Sequence, residues 1–246
     1  SEPVTVVLSK SGWVRQAKGH EIDPRSLSYK TGDEYRACAR GRSTQLAVFV
    51  DSTGRAYSLL AHALPSARGQ GEPLSGRLDP PDGATFAGVL IGDPQDRCVL
   101  ASSAGYGFIA KLGDLHSRNR AGKSVLNVPD DAFAIGPVPY AAADGVLLAA
   151  LNSEGRLLVF PATDLPELPR GKGNKIFGIS TKKSLVEPES LLAIATVGPG
   201  QSLRLLMGER HMGLTYKELG DYRGERGQRG AVLPRGWRKV DGLEVE

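Results

Sequence analysis

Five times along the chain, a run of β-branched and apolar residues reaches a polar turn with glycine and resumes as a second apolar run, the pattern of a β-hairpin. The instances are VTVVLSKSGWVR around Gly12, LAVFVDSTGRAYSLL around Gly54, CVLASSAGYGFIA around Gly105, VLLAALNSEGRLLVF around Gly155 and LRLLMGERHMGL around Gly213. Successive glycines lie 42, 51, 50 and 58 residues apart. Hairpins at this spacing predict four-stranded antiparallel blades of a propeller-like fold; a two-layer sandwich with chance spacing is the competing all-β arrangement. The 31 glycines and 16 prolines suit frequent turns and oppose long helices. With 40% hydrophobic residues, the 246-residue chain can bury a substantial core. The expected organisation is a single domain, 1–246, of about five blades: 1–42, 43–95, 96–143, 144–200 and 201–246.

A second repeat follows the later hairpins: a leucine-bearing connection, a basic glycine-rich cassette, then another apolar strand. Its copies are LPSARGQGEPLSGRL from Leu64, LHSRNRAGKSVLNV from Leu115, LPELPRGKGNKIFGI from Leu165 and LGDYRGERGQRGAVL from Leu219. The first hairpin has only a remnant, RQAKGHEI over Arg15–Ile22. Glycine lets such a segment turn tightly and approach a partner, and the flanking cations supply charge. The formal net charge of +4 conceals strong clustering: Arg223–Lys239 carries six basic residues against Glu225 alone, whereas Ser124–Gly155 has no Lys or Arg. Radial blades would align the cassettes as an interrupted basic track, suited to following a duplex backbone without reading its sequence. Only Tyr222 and Trp237 bring aromatic rings near these charges, which favours duplex over single-strand stacking. The cations expected at DNA are Arg68, Arg120, Lys123, Arg170, Lys172, Lys175, Arg226 and Arg229, most of them at equivalent repeat positions; Lys10, Arg36, Arg97 and Arg204 are scattered charges for comparison.

Other chemistry is poorly supported. Cys38 and Cys98 form no CxxC pair, and His20, His62, His116 and His211 have no metal-ligand spacing, so neither metal nor cofactor is expected here. Two buried, reduced thiols are expected instead. Ser117–Ser124 ends in AGKS but lacks the first glycine of a phosphate-binding GxxxxGK(S/T) loop. Asp51, Asp114, Asp144 and Asp164 are the carboxylates a propeller glycosidase would need, yet their turn and connection positions suit turn formation or capping. There is no signal-peptide pattern, the apolar run Val146–Leu151 is far short of a membrane span, and a start at strand Val4–Leu8 without Met is expected of an excised domain. Trp13 and Trp237 are expected in packing, and His62 and His116 in ordinary hydrogen bonding.

The stretches EPVTVVLSKSGWVR, FVDSTGRAY, LPSARGQGEPL, RNRAGK, FPATDLPELPRGKGNK and YRGERGQRG resemble the C-terminal domains of bacterial type IIA topoisomerase A subunits, topoisomerase IV more than gyrase, over essentially the full chain. The resemblance implies a β-pinwheel whose blades exchange strands. It implies no catalytic residue in this segment, the DNA-cleaving tyrosine and metal-binding acids lying elsewhere in the parent enzyme. Gyrase A carries a QRRGGKG box for strong DNA wrapping; ERGQRG at Glu225–Gly230 and RGKG at Arg170–Gly173 are only approaches to it, so contact and bending are implied rather than strong wrapping. The resemblance further implies a cytoplasmic, nucleoid-associated, ATP- and Mg2+-dependent holoenzyme for relaxation, decatenation and chromosome segregation, peripheral to the inner membrane in some members. Its partners would be duplex DNA, the catalytic part of the same polypeptide and the B subunit of topoisomerase IV (ParE) in an A2B2 assembly, with the domain itself monomeric. A condensin-like SMC protein is the alternative partner, through Arg210 and Arg235.

Overall fold

A computed structural model describes residues 1–181 and 187–246. Strands dominate: β1 (Pro3–Ser9), β2 (Trp13–Lys18), β3 (Tyr35–Arg42), β4 (Leu46–Asp51), β5 (Arg55–Leu60), β6 (Glu72–Pro73) and β7 (Phe86–Gly92) come first. Then follow β8 (Arg97–Ala101), β9 (Tyr106–Lys111), β10 (Lys123–Ser124), β11 (Val138–Tyr140), β12 (Leu147–Asn152), β13 (Arg156–Pro161), β14 (Asn174–Lys175) and β15 (Leu191–Val197). The last are β16 (Ser202–Met207), β17 (Arg210–Thr215), β18 (Ala231–Val232) and β19 (Gly242–Val245).

Each sheet is built on one hairpin. The orders are β3-β1-β2-β6, β7-β4-β5-β10, β11-β8-β9-β14 and β15-β12-β13-β18, with a fifth sheet β17-β16-β19. In the first four, the fourth strand is donated by the connection that follows the next hairpin: Val14 pairs with Glu72, Ala56 with Lys123, Gly107 with Asn174 and Leu157 with Ala231. The cassettes are therefore parts of the preceding sheet. No donated strand lies beside β17 among the described residues.

Four hairpins share a turn chemistry readable in the sequence. The carbonyls of Ser9, Asp51, Ser102 and Asn152 accept the amides of Gly12, Gly54, Gly105 and Gly155, whose φ angles of 76° to 90° suit glycine. The side chains of Ser9, Asp51 and Asn152 also accept turn amides, which rigidifies the corner. The fifth hairpin departs from expectation. Met207 pairs with Arg210 across a two-residue turn of Gly208 and Glu209, whereas Gly213 lies inside β17 opposite Arg204. The residues expected to form a first cassette also differ, since Arg15–Lys18 belong to β2. The loop beyond them is tied to its own sheet, with Arg40 donating to the carbonyls of His20 and Ile22 and Arg15 to that of Ser28.

Strand donation rests on one repeated glycine. Gly71, Gly122, Gly173 and Gly230 immediately precede the donated strands, with φ of +87°, +67°, +82° and +66°. A Cβ on them would run into the carbonyls of Val14, Ala56, Gly107 and Leu157 respectively. The glycine thus permits both the left-handed backbone and the close approach to the receiving strand.

The chain packs as two compact units, 1–98 with 110–127 and 169–171, and 99–109 with 128–168 and 172–246; the division falls within β8 and β9. The first has a core around Val6, Leu8, Val14, Phe49, Tyr57 and Phe86, with Tyr57 hydrogen-bonded to the buried Asp51 carboxylate at 2.5 Å. In the second, Leu148 and Ala150 enter one apolar cluster and Leu147, Ala149 and Leu151 another. Burial of both faces explains why β12 reads LLAAL without polar alternation. Cys98 is fully buried, and burial pushes its thiol up to about 12; Cys38 is half-buried.

Gly71→Ala is expected to destabilise the chain by about 1–3 kcal/mol, combining positive-φ strain with displacement of the Val14 carbonyl. Gly69→Ala, in the same cassette with open space around its Cβ, should cost within about 0.5 kcal/mol. Thermal or urea unfolding of the two variants measures the contrast, and equal losses would remove the special role of Gly71.

Candidate nucleic-acid interface

Each cassette is pinned at two places on one strand, so its middle must bow outward. The entry end bridges the fourth strand residue: Gln16 meets Ser66, Ile109 meets Glu167 and Val159 meets Arg223, while the Ser117 amide donates to Ser58 Oγ at 3.1 Å. The exit end is the glycine against the second strand residue. These anchors are two residues, about 7 Å, apart along the strand. Four residues intervene in the cassettes ending at Gly71 and Gly122, five before Gly173 and six before Gly230.

The residue opening the receiving strand fastens the bowed segment. Arg55 donates to the carbonyls of Ala121 and Gly122 at 2.9 and 3.0 Å, and Arg156 to that of Gly230 at 3.2 Å. In β9 the chemistry is inverted: the cation is on the cassette, with Lys172 Nζ 4.0 Å from the centre of the Tyr106 ring. Near the first of these cassettes, Arg15 is only 3% exposed; it donates to the Gly69 carbonyl at 2.8 Å and stacks on Tyr29. Arg15, Arg55 and Arg156 are basic residues facing protein rather than solvent ligands.

In the first unit, Arg68 and Arg170 are exposed and have no ion pair among the described residues. Arg120 reaches Asp79 at 3.4 Å, but both side chains are at least 60% exposed, a pair worth little in water. Lys123 lies half-buried in β10, and burial, then its charge, lowers the pKa of the neighbouring His116. In the second unit, Lys172 and Lys175 are exposed, and Arg226 donates to the Lys175 carbonyl at 2.8 Å. Arg210 stacks over Trp237 at 4.6 Å, and the turn closed by the Trp237 amide on Pro234 carries the exposed Arg235. The expected common repeat position is not observed. Counted back from the cassette glycine, Arg68 and Arg170 share the third place and Lys172 and Arg229 the first, while the others occupy separate places because the loops differ in length. The exposed Arg118 and Arg223 also belong to these cassettes. The string SRNR marked Arg118 as readily as Arg120.

Arg229 has structural work of its own. Its guanidinium donates to the Gly178 carbonyl and lies 2.9 Å from Glu189 and 3.4 Å from Glu154. The Glu189 side chain has no exposed surface, and it also accepts from Asn152 and the Ser180 amide. Burial alone would raise its pKa, but the hydrogen bonds from Arg229, Ser180 and Asn152, with the Arg229 charge, hold it below the ordinary value of 4.5.

The carboxylates considered for catalysis do not converge. Asp51 is buried and accepts from Thr53, Arg55 and Tyr57, while Asp114, Asp144 and Asp164 are exposed in connections. Among the described residues no three His, Cys, Asp or Glu side chains gather as metal ligands. Ser117–Ser124 runs from a loop anchor into β10, without the helix that a nucleotide-binding loop requires.

Comparison with known proteins fits this geometry. The model of the DNA gyrase C-terminal domain, a β-propeller, matches residues 96–139 and 148–197. The solved Escherichia coli ParC C-terminal domain is 44% identical and superposes with a TM-score of 0.78, covering 100% of this chain and 99% of that one. The chain belongs to the family of C-terminal domains of the topoisomerase IV A subunit. The DNA topoisomerase 4 A subunit of Pseudomonas aeruginosa is 53% identical over the whole chain, and that of Escherichia coli K12 is 45% identical. The chain spans about a third of the length of these curated relatives. The fold class is the family's all-β pinwheel, and no described helix is long and apolar enough to cross a membrane.

Removing the Arg229 guanidinium leaves the Glu189 carboxylate buried without its cation. Arg229→Ala should destabilise the domain by about 1.5–3 kcal/mol, typical for hydrogen bonds to charged groups. Because the Glu189 pKa is depressed, its stabilising contribution is complete above the ordinary value of 4.5 and is lost as pH falls through the lower folded value. The stability gap between the natural chain and Glu189→Gln should therefore hold from neutral pH to about 4.5 and shrink below it. Unfolding curves across pH 3–7, about the range of carboxylate titration, check this; a gap independent of pH would remove Glu189 from the account.

Proposed function

We propose that the chain is the DNA-binding, non-catalytic C-terminal part of a topoisomerase IV A subunit. The observation that carries this reading is a set of exposed cations, Arg68, Arg118 and Arg170, that make no ion pair among the described residues and sit on loops pinned to the sheet at both ends. Such loops place charge at fixed points with little ordering cost. Phosphates are the matching ligand, and contacts to them hold a duplex without reading bases. Cations at several points on a curved duplex lower the cost of bending it toward the protein.

In the parent enzyme the domain holds one duplex segment near the catalytic part of the same polypeptide and biases which crossings are captured for relaxation and decatenation. Strand cleavage, ATP use and Mg2+ binding then belong to other parts of an assembly with the B subunit of topoisomerase IV, acting in the cytoplasm on nucleoid DNA. A second reading, docking of a condensin-like SMC protein, is favoured by Arg210 on Trp237 beside the turn that carries Arg235.

The isolated domain should bind duplexes of unrelated sequence similarly and weaken steeply with salt. With ~3–5 phosphates contacted, log K should fall against log salt with a slope of roughly −3 to −4.5. Neutralising Arg68, Arg118, Arg120 and Arg170 together should lower both affinity and slope at unchanged folding, more than neutralising Lys10, Arg36, Arg97 and Arg204. Fluorescence anisotropy across a salt series decides: equal losses would leave general electrostatic attraction, and no loss from the cassette set would favour the protein-docking reading.

A further inference from the structure

The cassette ending at Gly173 differs from those fastened by Arg55 and Arg156. There the strand supplies the cation and the cassette supplies carbonyls; here the strand-opening residue is Tyr106, and the cation is Lys172 of the cassette. The ammonium lies 4.0 Å from the ring centre, well inside the range of a cation–π contact. Tyr106 is half-buried and paired in the ladder opposite Lys175, so the backbone that carries its ring is fixed. The next residue, Gly173, is held at φ +82° against the Gly107 carbonyl, which fixes the backbone that carries Lys172. Lys172 is exposed and makes no ion pair among the described residues, so the ring attracts the charge without neutralising it.

We propose that Tyr106 is a positioning residue for DNA binding, presenting the Lys172 ammonium to a phosphate through its aromatic face. This rests on the DNA-binding reading and assigns it a side chain that carries no charge. A free lysine must give up rotamer freedom to hold a phosphate, and one resting on an aromatic ring has surrendered part of it before binding. The ring leaves the ammonium's outward N–H groups available. Fastening and presentation are thereby combined in one contact, where Arg55 and Arg156 fasten their cassettes and turn their own charge inward.

The test compares Tyr106→Phe, Tyr106→Leu, Lys172→Ala and the Leu–Ala double variant by duplex-DNA anisotropy over a salt series, with thermal unfolding beside it. Tyr106→Phe keeps the aromatic face and should bind as the natural chain does. Tyr106→Leu should weaken binding about two- to fivefold, because part of the lysine's rotamer freedom must then be given up on binding. Adding it to Lys172→Ala should cause no further loss. In the DNA-free protein, the Lys172 ε-methylene protons should show an upfield ring-current shift in NMR that Tyr106→Phe retains and Tyr106→Leu abolishes.

Tyr106→Leu weakening DNA binding equally in the Lys172→Ala background would assign the tyrosine a purely structural role and overturn the proposal. Natural affinity in Tyr106→Leu, or a Tyr106→Phe variant as weak as Leu, would do the same. If Lys172→Ala leaves DNA affinity untouched while the ring-current shift is present, the contact exists and the DNA-binding reading of this cassette is what fails. If Tyr106→Leu does not fold, Tyr106→Phe and the NMR shift still decide whether the ring holds the ammonium.

Discussion

A glycine in the left-handed region, lying against a carbonyl of the preceding hairpin, is the constraint on which the rest of this chain depends. At Gly71, Gly122, Gly173 and Gly230 it lets the connection come close enough to add two residues to another repeat's sheet. Strand donation makes the cassette a loop with both ends fixed, and only then can its charges occupy defined places. Any β-carbon would attack both features together, through torsional strain and through contact with a backbone oxygen.

The basic residues divide according to what their charged ends reach. Arg15, Arg55 and Arg156 donate to cassette carbonyls, and Arg229 neutralises a buried glutamate. The guanidinium fork suits this work because it makes several directed hydrogen bonds at once. Arg68, Arg118 and Arg170 are exposed and make no ion pair among the described residues. A count of cations in the sequence merges the two groups, so the net charge of +4 is a weak guide to how many of them are left for a ligand.

The sequence made the architecture legible where the side chains themselves do the work. Ser9, Asp51 and Asn152 followed three places later by glycine announce three hairpin corners, Ser102 before Gly105 a fourth, and the apolar run at Leu147–Leu151 announces a strand buried on both faces. The fifth corner was misplaced because its two-residue turn needs no such acceptor and Gly213, within a strand, looked equally suitable. Arg15–Ile22 looked like a cassette because basic residues and glycine recur there, although the backbone pairing that defines a cassette is absent. The register of the charges was hidden for a different reason: unequal numbers of residues bridge similar anchors, so sequence offset does not translate into equivalent position. Nothing local in the sequence separates Arg229, which needs Glu189 forty residues away, from Arg226.

Donating strands backward also sets a timetable for synthesis. The outer edge of β2, complete at Lys18, is covered only once Glu72 and Pro73 have been made, and the edge of β5, complete at Leu60, only after Lys123 and Ser124. At about 5–20 residues per second, each edge waits some 3–13 seconds with unpaired backbone groups exposed. An open strand edge is where a nascent chain is most prone to pair with a neighbour. Trp13, Arg55, Tyr106 and Arg156 open these waiting strands, and three of them later hold a cassette in place; as bulky or charged side chains on the last strand to be covered, they also make that edge a poor template for a foreign strand.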